Sequence, residues 1–412
     1  MVNFRRQLMG LGFIAGSSIM AMGAAHALNG QSNINVDGGP LGQLEMSGGI
    51  AGMGYAVSNN KPSMSGYNSV GTRVNAVIVQ LQKTSGVVQF FLEVGGNQGA
   101  FDIGLGKPST IGDTIIGRDS DALDTAYITL APPGTPLTFS VGDLGSNIGY
   151  ESGTIWNDVS GITSVINDVE VGNQYGGNVA FTKGPLNAFV QFGDIGESHV
   201  FNYLEVGGTY NFTPSDQLLL FAGTNLGRTG SFAHVEGSSG TSWGSSYMGT
   251  CGGGASGDSQ ATCGGTGNLY VYNSTQFEGF YSFAVNDSLT LAPEAQYVYT
   301  KVDRKIGINK FGSNLGFGLF GDYTFNKTPY SVGGWFVWDK SVGSQNSWYI
   351  GPNDETISGS IAPTWQYKYL YARLSGGFVY LMNDKSNGAV YHVPGTTSRA
   401  QFAAVADTGF VF

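Results

Sequence analysis

The chain is poor in charge and in cysteine, and it has no long apolar run beyond its first residues. Asp, Glu, Lys and Arg together make up 12% of its 412 residues, about half the share usual in soluble proteins. After residue 27, no run of about 18 apolar residues occurs, which excludes a membrane-spanning helix. No repeat with a fixed period is visible, which argues against a propeller or a solenoid.

Glycine and aromatic residues are abundant instead. Glycine occurs 66 times and aromatics make up 13% of the chain, and this glycine content is about twice the usual share. Lipid cannot satisfy the backbone groups of an open sheet edge, so a chain of this composition would cross a membrane as a closed β-barrel. The competing architectures are a large soluble β-sandwich, a propeller or a β-helix. A sandwich does not need connections of alternating length, which this chain has, and the barrel is therefore favoured.

The first 27 residues have the features of an export signal. Arg5 and Arg6 precede an apolar stretch, residues 8–22, that is too short and too interrupted for a membrane anchor. Ala25-His26-Ala27 then forms an A-x-A cleavage site, which predicts cleavage between Ala27 and Leu28. The predicted organisation is a signal peptide (1–27), a short periplasmic segment (28–42) and a transmembrane barrel (43–412).

The acidic balance of the chain limits its partners. Removal of Arg5 and Arg6 would change the formal net charge from −10 to about −12. A net charge of this sign argues against nucleic acid as a partner. It favours an acidic outer surface or attraction for cations.

Short and long connections alternate along the chain. Clusters of Pro, Gly, Asn and Asp supply the dihedral angles of tight turns, and they occur at 82–86, 132–136, 183–186, 213–216, 286–288, 326–329 and 367–369. Longer segments rich in Gly, Ser, Asn and Asp lie between them, at 58–71, 96–121, 144–173, 194–198, 225–267, 302–311, 340–354 and 383–397. Seven turns and eight loops join 16 strands, and the predicted strand number holds to within two. Short periplasmic turns and long outer loops are typical of outer-membrane barrels.

The residues before the C-terminus show the alternation of a strand. Phe402, Ala404, Ala406, Phe410 and Phe412 fall on one parity and Arg399, Gln401 and Asp407 on the other. Because successive side chains of a strand point to opposite faces, one face is predicted to meet lipid and the other the lumen. We also expect the C-terminal Phe412 to be recognised by the barrel-assembly machinery. The segments near 289–300, 314–325 and 370–380 alternate in the same way, whereas those near 73–81 and 217–224 alternate poorly.

Two cysteines mark the longest loop. Cys251 and Cys263 lie in a Gly- and Ser-rich segment, and in an oxidising compartment a local disulfide is the favoured interpretation. A metal site is the alternative. Its only nearby ligand is His234, which is too little for zinc.

Catalytic motifs are weak. Residues 240–244 match G-x-S-x-G around Ser242, but they lie in a loop and not on a strand-to-helix turn. His199 has no Ser or Asp at a catalytic spacing, and the acidic run at Asp119, Asp121 and Asp124 is better explained as a solvated surface than as a calcium site. We therefore predict no catalytic residue, no cofactor and no metal site.

Charged residues on inward parities are the candidate pore-lining residues. Arg73, Arg373 and Arg399 belong to strands 2, 15 and 16, and Glu205, Glu278 and Glu294 to strands 8, 10 and 11. If the two groups face each other, they create a transverse field that favours polar solutes. Equally, they could be scattered charges without a shared constriction. The loop at 144–173 is both apolar and acidic, and it could fold inward and narrow the pore.

A family resemblance begins at residue 137. Leu137 to Leu144, followed by Ile148-Gly149-Tyr150-Glu151, resembles the strand and Gly-Tyr-Glu signature of the OmpL-like β-barrel porin family. The similarity covers roughly residues 120–200. The basic residue after the first Gly and the Thr-Pro before Gly-Tyr-Glu of that signature are missing here. The resemblance implies a bacterial outer-membrane porin and leaves the solute open.

The predicted function is passive diffusion of small hydrophilic solutes or ions through the outer membrane of a Gram-negative bacterium, with outer-membrane lipid around the barrel. One alternative is a non-conducting structural or adhesive barrel that binds a partner through its outer loops. A barrel enzyme at the outer rim is another. Many porins of 16 strands are homotrimers, and the resemblance extends that expectation to this chain, but the sequence shows no interface.

Overall fold

The structure is a computed structural model. It describes residues 28, 33–59, 69–97, 100–102, 123–145, 147–152, 154–167, 170, 174–195, 198, 200–229, 272–343, 353–383 and 399–412, apart from the side chains of Asn97, Asp102 and Asp124. Several predicted features lie outside these residues: the signal peptide with Ala27, the cysteines Cys251 and Cys263, His199, His234, Ser242, and the acidic pair Asp119 and Asp121.

Sixteen antiparallel strands form a closed barrel in which each strand pairs with its neighbours along the chain. The ring closes where β16 pairs with β1, from Ala403 opposite Val57 to Val411 opposite Gly49. The strands are β1 (Gln43–Val57), β2 (Val70–Lys83), β3 (Val88–Asn97), β4 (Leu123–Leu130), β5 (Leu137–Leu144), β6 (Gln174–Lys183), β7 (Leu186–Ile195), β8 (Tyr203–Thr213), β9 (Asp216–Asn225), β10 (Ser274–Ala284), β11 (Leu289–Thr300), β12 (Gly312–Thr324), β13 (Tyr330–Gly343), β14 (Glu355–Tyr367), β15 (Leu370–Asn383) and β16 (Ala400–Val411).

Three short strands accompany the barrel. Ile34–Asp37 pairs with the start of β1, and a 3₁₀-helix, Gly39–Leu41, follows it. Phe101–Asp102 pairs in parallel with Ile162–Thr163. Among the described residues, no helix is long and apolar enough to span a membrane.

The alternation of short and long connections is confirmed. All seven predicted turns join consecutive strands, and the shortest connections contain two residues, as between β6 and β7 and between β14 and β15. Gly184 in the first of these has φ 60°, a left-handed conformation that glycine adopts without steric cost. The eight longer connections all leave the opposite end of the barrel.

The strands present an apolar outer face and a mixed inner face. In β16, Phe402 is 59% exposed whereas Asp407 is 2% exposed, which confirms the predicted parity. Outward aromatic side chains are in contact at the short-turn end, for example Phe212 with Tyr281 and Tyr323 with Phe325. Such a ring of aromatics is typical of a membrane interface.

Candidate functional site: a loop-filled lumen

The connection between β5 and β6 enters the barrel. We call residues 145–173 the lumen loop; 145, 147–152, 154–167 and 170 of it are described. Its apolar side chains are buried, with Ile155, Ile162 and Ile166 fully covered and Trp156 2% exposed. They form one hydrophobic cluster with inward side chains of the wall. The hypothesis that this loop could fold inward came from its apolar content, and its described residues do lie inside the barrel.

Hydrogen bonds attach the lumen loop to several parts of the wall. Near its start, the backbone N–H of Tyr150 donates to Glu294 Oε1 on β11 at 3.1 Å. Further along, the Trp335 indole N–H of β13 donates to the carbonyl of Ile162 at 2.8 Å, and the N–H of Gly161 donates to Ser375 Oγ of β15 at 2.9 Å. The loop therefore crosses the lumen from the side of β11 to the side of β15.

Arg373 on β15 is the most strongly bonded anchor of the lumen loop. Its guanidinium binds Asp407 of β16 through two nitrogens, each at 3.0 Å. It also donates to the carbonyls of Ile155 at 2.7 Å and Asp158 at 2.6 Å. Both charged side chains are fully buried. A bidentate pair of this kind fixes the orientation of the guanidinium. In this orientation the guanidinium can also donate hydrogen bonds to the buried carbonyls of the loop.

Glycines on the wall allow the lumen loop to approach closely. A Cβ at Gly333 of β13 would lie 2.0 Å from the carbonyl oxygen of Val159, which excludes any side chain without movement of the backbone. A Cβ at Gly49 of β1 would lie 3.1 Å from the Trp156 ring. These distances show that the Val159 backbone and the Trp156 ring of the loop lie directly against the wall at these two glycines.

The β3–β4 connection also reaches the interior. The N–H of Phe101 donates to the carbonyl of Gly161 in the lumen loop at 2.9 Å. Arg73 of β2 donates from Nη2 to the carbonyl of Ala100 at 3.2 Å. Both Ala100 and Phe101 are buried, so the two loops pack together inside the barrel.

The predicted basic residues occupy different environments. Arg73 faces inward and is half-buried. Arg373 also faces inward, but it is covered by the lumen loop and paired with Asp407. Arg399 is exposed immediately before β16. The structure therefore does not gather the three arginines at one point.

The predicted acidic residues are inward and buried. Glu205 on β8 accepts from the amide of Gln191 at 3.2 Å. Glu278 on β10 and Glu294 on β11 lie close together, and Glu278 accepts from Gln296 at 2.8 Å. In the ring of 16 strands, β10 is opposite β2, so this pair is on the other side of the barrel from Arg73. Glu205 lies apart from the pair, two strands away from β10.

Polar side chains form ladders across the inner face of the strands before β9. Gln80 of β2 links Ser47 of β1 to Glu93 of β3, with hydrogen bonds of 2.9 and 2.6 Å. On β6 and β7, Asn178 donates to Gln191 at 3.1 Å. None of these side chains is among the candidate residues predicted from the sequence. Their alternation with outward apolar residues is the signal that could have identified them.

Two acidic residues of the lumen loop are held by its own backbone. Glu151 accepts hydrogen bonds from the N–H of Ser164 at 3.0 and 3.1 Å, and Asp158 accepts from the N–H of Ser152 at 2.6 Å. Burial raises the pKa of the Asp158 carboxyl well above its ordinary value, and the nearby Glu151 charge adds to this effect. The loop thus has an internal fold as well as anchors to the wall.

Comparison with solved structures identifies similar barrels at very low sequence identity. The chain is similar to OmpT, an outer membrane protein of Vibrio cholerae, with a TM-score of 0.54 and 9% identity over 90% of this chain and 98% of that one. It is similar to an anion-selective porin from Comamonas acidovorans, with a TM-score of 0.54 and 10% identity over 90% and 99% of the two chains. The outer membrane channel DcaP of Acinetobacter baumannii also has a TM-score of 0.54, with 12% identity over 90% and 97%.

No family model matches the chain, and no curated protein is significantly similar to it in sequence. The similarity to the solved barrels concerns the fold alone. The molecule is a closed 16-stranded antiparallel β-barrel, an architecture that it shares with outer-membrane proteins, porins among them.

Proposed function

We propose that the protein is an outer-membrane porin, a passive diffusion channel for small hydrophilic solutes or ions whose lumen is narrowed by the lumen loop. The observation that carries this proposal is the loop anchored across a 16-stranded barrel, beside an inner wall of polar side chains. Barrels of this strand number leave room for water inside. A loop attached to part of the wall reduces that room and sets the size of the passage.

The inner wall carries more negative than positive groups. In the described strands, its inward basic side chains are Arg73 and Arg373, and Arg373 is already paired with Asp407. Its inward carboxylates are Glu45, Glu93, Glu205, Glu278, Glu294, Asp322, Asp339 and Asp407. Such an excess favours cations over anions in a narrow passage.

The cellular setting is part of the proposal. Residues 1–27 are removed on export, between Ala27 and Leu28, and the short turns face the periplasm. Phe412 is recognised by the assembly machinery, and Cys251 and Cys263 form a disulfide in the outer loop. Assignment to the OmpL-like family, the absence of enzymatic activity and a homotrimeric state belong to the same proposal. The outward aromatic ring and the similarity to outer-membrane barrels support the membrane location.

A non-conducting barrel that binds a partner through its outer loops is the second candidate. It is favoured by the density of the interior, where Trp156, Phe280 and Phe320 belong to one buried cluster. An adhesin needs a rigid barrel and no passage. Conductance therefore separates the two candidates.

The test is single-channel recording of the purified, refolded protein in a planar bilayer. We expect discrete ohmic steps, and a larger conductance when residues 154–166 are replaced by a short Gly-Ser linker. As a control, shortening of the β11–β12 connection at residues 304–307, which lies outside the barrel wall, should leave the conductance unchanged. A folded barrel that stays silent both with and without the lumen loop would refute the porin proposal.

A further inference from the structure

Three carboxylates meet where the lumen loop passes β10 and β11. Glu170 of the loop, Glu278 and Glu294 each offer a carboxylate oxygen, and these oxygens lie within 4.8 Å of one another. The strand register explains the arrangement, since Glu278 faces Gln296 and Glu294 faces Phe280, which places the two glutamates diagonally on adjacent strands. Glu278 and Glu294 are both 4% exposed.

One oxygen of this cluster forms no hydrogen bond of good geometry with the described residues. Glu278 Oε2 accepts from Gln296 Nε2, whereas Glu278 Oε1 is buried without a well-aligned donor, although the Glu294 carboxyl and the N–H of Gly149 lie close to the Glu278 carboxyl. A buried carboxylate oxygen without a partner is costly, because water no longer solvates it. This observation is independent of the spacing of the three carboxylates. Two adjacent buried carboxyls need a positive group between them, which is either a shared proton or a bound cation.

The neighbours of the cluster do not neutralise it. Glu294 Oε1 accepts from the Tyr150 N–H, and Glu170 Oε2 accepts from the Asn167 amide at 3.1 Å. Both donors are uncharged. Neither Glu278 nor Glu294 forms an ion pair with any basic residue in the described part of the chain. The mutual repulsion of the carboxylates therefore lacks a protein counter-charge at these two positions.

We propose that Glu170, Glu278 and Glu294 bind a calcium ion inside the barrel. Ca²⁺ is bound by oxygen ligands at about 2.3–2.6 Å and accepts irregular geometry completed by water. Two oxygens that share one Ca²⁺ at about 2.4 Å lie at most about 4.8 Å apart, so the three carboxylates could coordinate one ion without large movement. The set contains no nitrogen or sulfur ligand, which disfavours zinc and copper.

The site would tie the lumen loop to the wall. Glu170 belongs to the loop, and its carboxylate lies over Gly149, where an added Cβ would come within 2.3 Å of Oε2. Gly149 also has φ 90°, a conformation that disfavours other residues. The loop is thus shaped to bring Glu170 to the two wall glutamates. The inference does not depend on conduction, since a plugged barrel could bind the ion equally well.

The test is calorimetric titration of calcium chloride into the full-length protein, refolded in detergent and freed of metal with a chelator. We expect one Ca²⁺ per chain for the wild type and at least about a tenfold weaker affinity for Glu278→Gln. Loss of a residue that only orients a metal ligand already weakens metal binding by about this factor, and loss of a ligand itself should cost at least as much. The matched control is Asp339→Asn. It removes a carboxylate that is also buried and inward but already accepts from Asn314 at 2.6 Å, and it should bind like the wild type.

The folded state of each variant is checked first by its heat-modifiable migration in gel electrophoresis. If Glu278→Gln does not fold, Glu170→Gln on the loop provides the same comparison. The proposal is overturned if the wild type binds no Ca²⁺ up to about 1 mM, the weak end of protein calcium sites. It is equally overturned if the cluster variant and Asp339→Asn bind alike. A porin that conducts but binds no Ca²⁺ would overturn this inference alone.

Discussion

Replacement of Arg373 tests whether the lumen loop is anchored by the buried ion pair. In Arg373→Met, Asp407 loses its bidentate partner and stays buried at 2% exposure. An uncompensated buried charge typically destabilises a fold by about 3–5 kcal/mol. The carbonyls of Ile155 and Asp158 lose their guanidinium donors as well, and each unsatisfied buried carbonyl adds about 1–3 kcal/mol.

The double variant Arg373→Met, Asp407→Leu separates these contributions. It leaves the two loop carbonyls without the guanidinium, but it no longer buries an unpaired carboxylate. The double variant should therefore be more stable than the single variant by about 3 kcal/mol, the cost of the unpaired charge. That difference corresponds to a factor of more than about 100 in the unfolding equilibrium.

Unfolding in guanidinium chloride, followed by tryptophan fluorescence in lipid vesicles, measures both differences. Trp156 lies in the lumen loop and is 2% exposed, so release of the loop should also shift the emission of the folded state to longer wavelength. A double variant as unstable as the single one would refute the reasoning. It would mean that the guanidinium contributes mainly through the loop carbonyls and not by neutralising Asp407.

Three further predictions concern the loop and the inner wall. Gly333→Ala should destabilise the folded barrel by about 1–3 kcal/mol, because the new Cβ meets the carbonyl of Val159, whereas Gly376→Ala, with no atom within 4 Å of its Cβ, should be nearly neutral in the same unfolding assay. Burial raises the pKa of the Asp158 carboxyl above its ordinary 3.8, so ionisation of this carboxyl lowers the stability of the fold increasingly as the pH rises above that value. Asp158→Asn should therefore be more stable than the wild type at pH 7 and equally stable near pH 3. In a salt gradient, the reversal potential should indicate cation preference and decrease with Glu93→Gln, and an anion preference would contradict the charge excess of the wall.

The strands that were easy to predict are those with a simple inner face. In β11, outward Pro293, Ala295 and Tyr297 alternate with buried Glu294 and Gln296, so period-two alternation identifies both faces. Such strands have polar or small residues inside, and their pattern needs no knowledge of the rest of the fold.

The strands that alternate poorly have physical reasons to do so. In β2, the register against β1 shifts by one residue between Val74 and Ala76, which lie opposite Gly52 and Ala51, and this shift interrupts the period. In β9, Leu219 and Phe221 face inward and are buried in the cluster that includes the lumen loop, while Leu220 between them faces outward and is 59% exposed. An inner face that packs on a loop is apolar like the outer one, and the alternation disappears.

The contacts of the candidate site could not be predicted from local patterns. Arg373 and Glu294 lie inside the barrel on the inward parity of their strands, and the apolar residues of the lumen loop had indicated that the loop could enter it. The pairing of the two depends on residues that are far apart in the chain, since 218 positions separate Arg373 from Ile155 and 144 separate Glu294 from Tyr150. No period in the sequence encodes which wall a loop will reach.

The anchoring of the lumen loop constrains how the barrel could conduct. A loop inside a barrel must satisfy its backbone polar groups without bulk water, and here donors and acceptors from β11, β13 and β15 do so. Release of the loop would expose its buried isoleucines and leave the Arg373–Asp407 pair without the loop carbonyls. A gate that opens by ejecting the loop would therefore cost many contacts at once. The polar ladders on β1–β3 and β6–β8 belong to the same inner wall, and Asn147 of the lumen loop donates to Gln191 in the second of them at 3.1 Å. A barrel that conducts would therefore have to pass solutes beside a loop that stays in place.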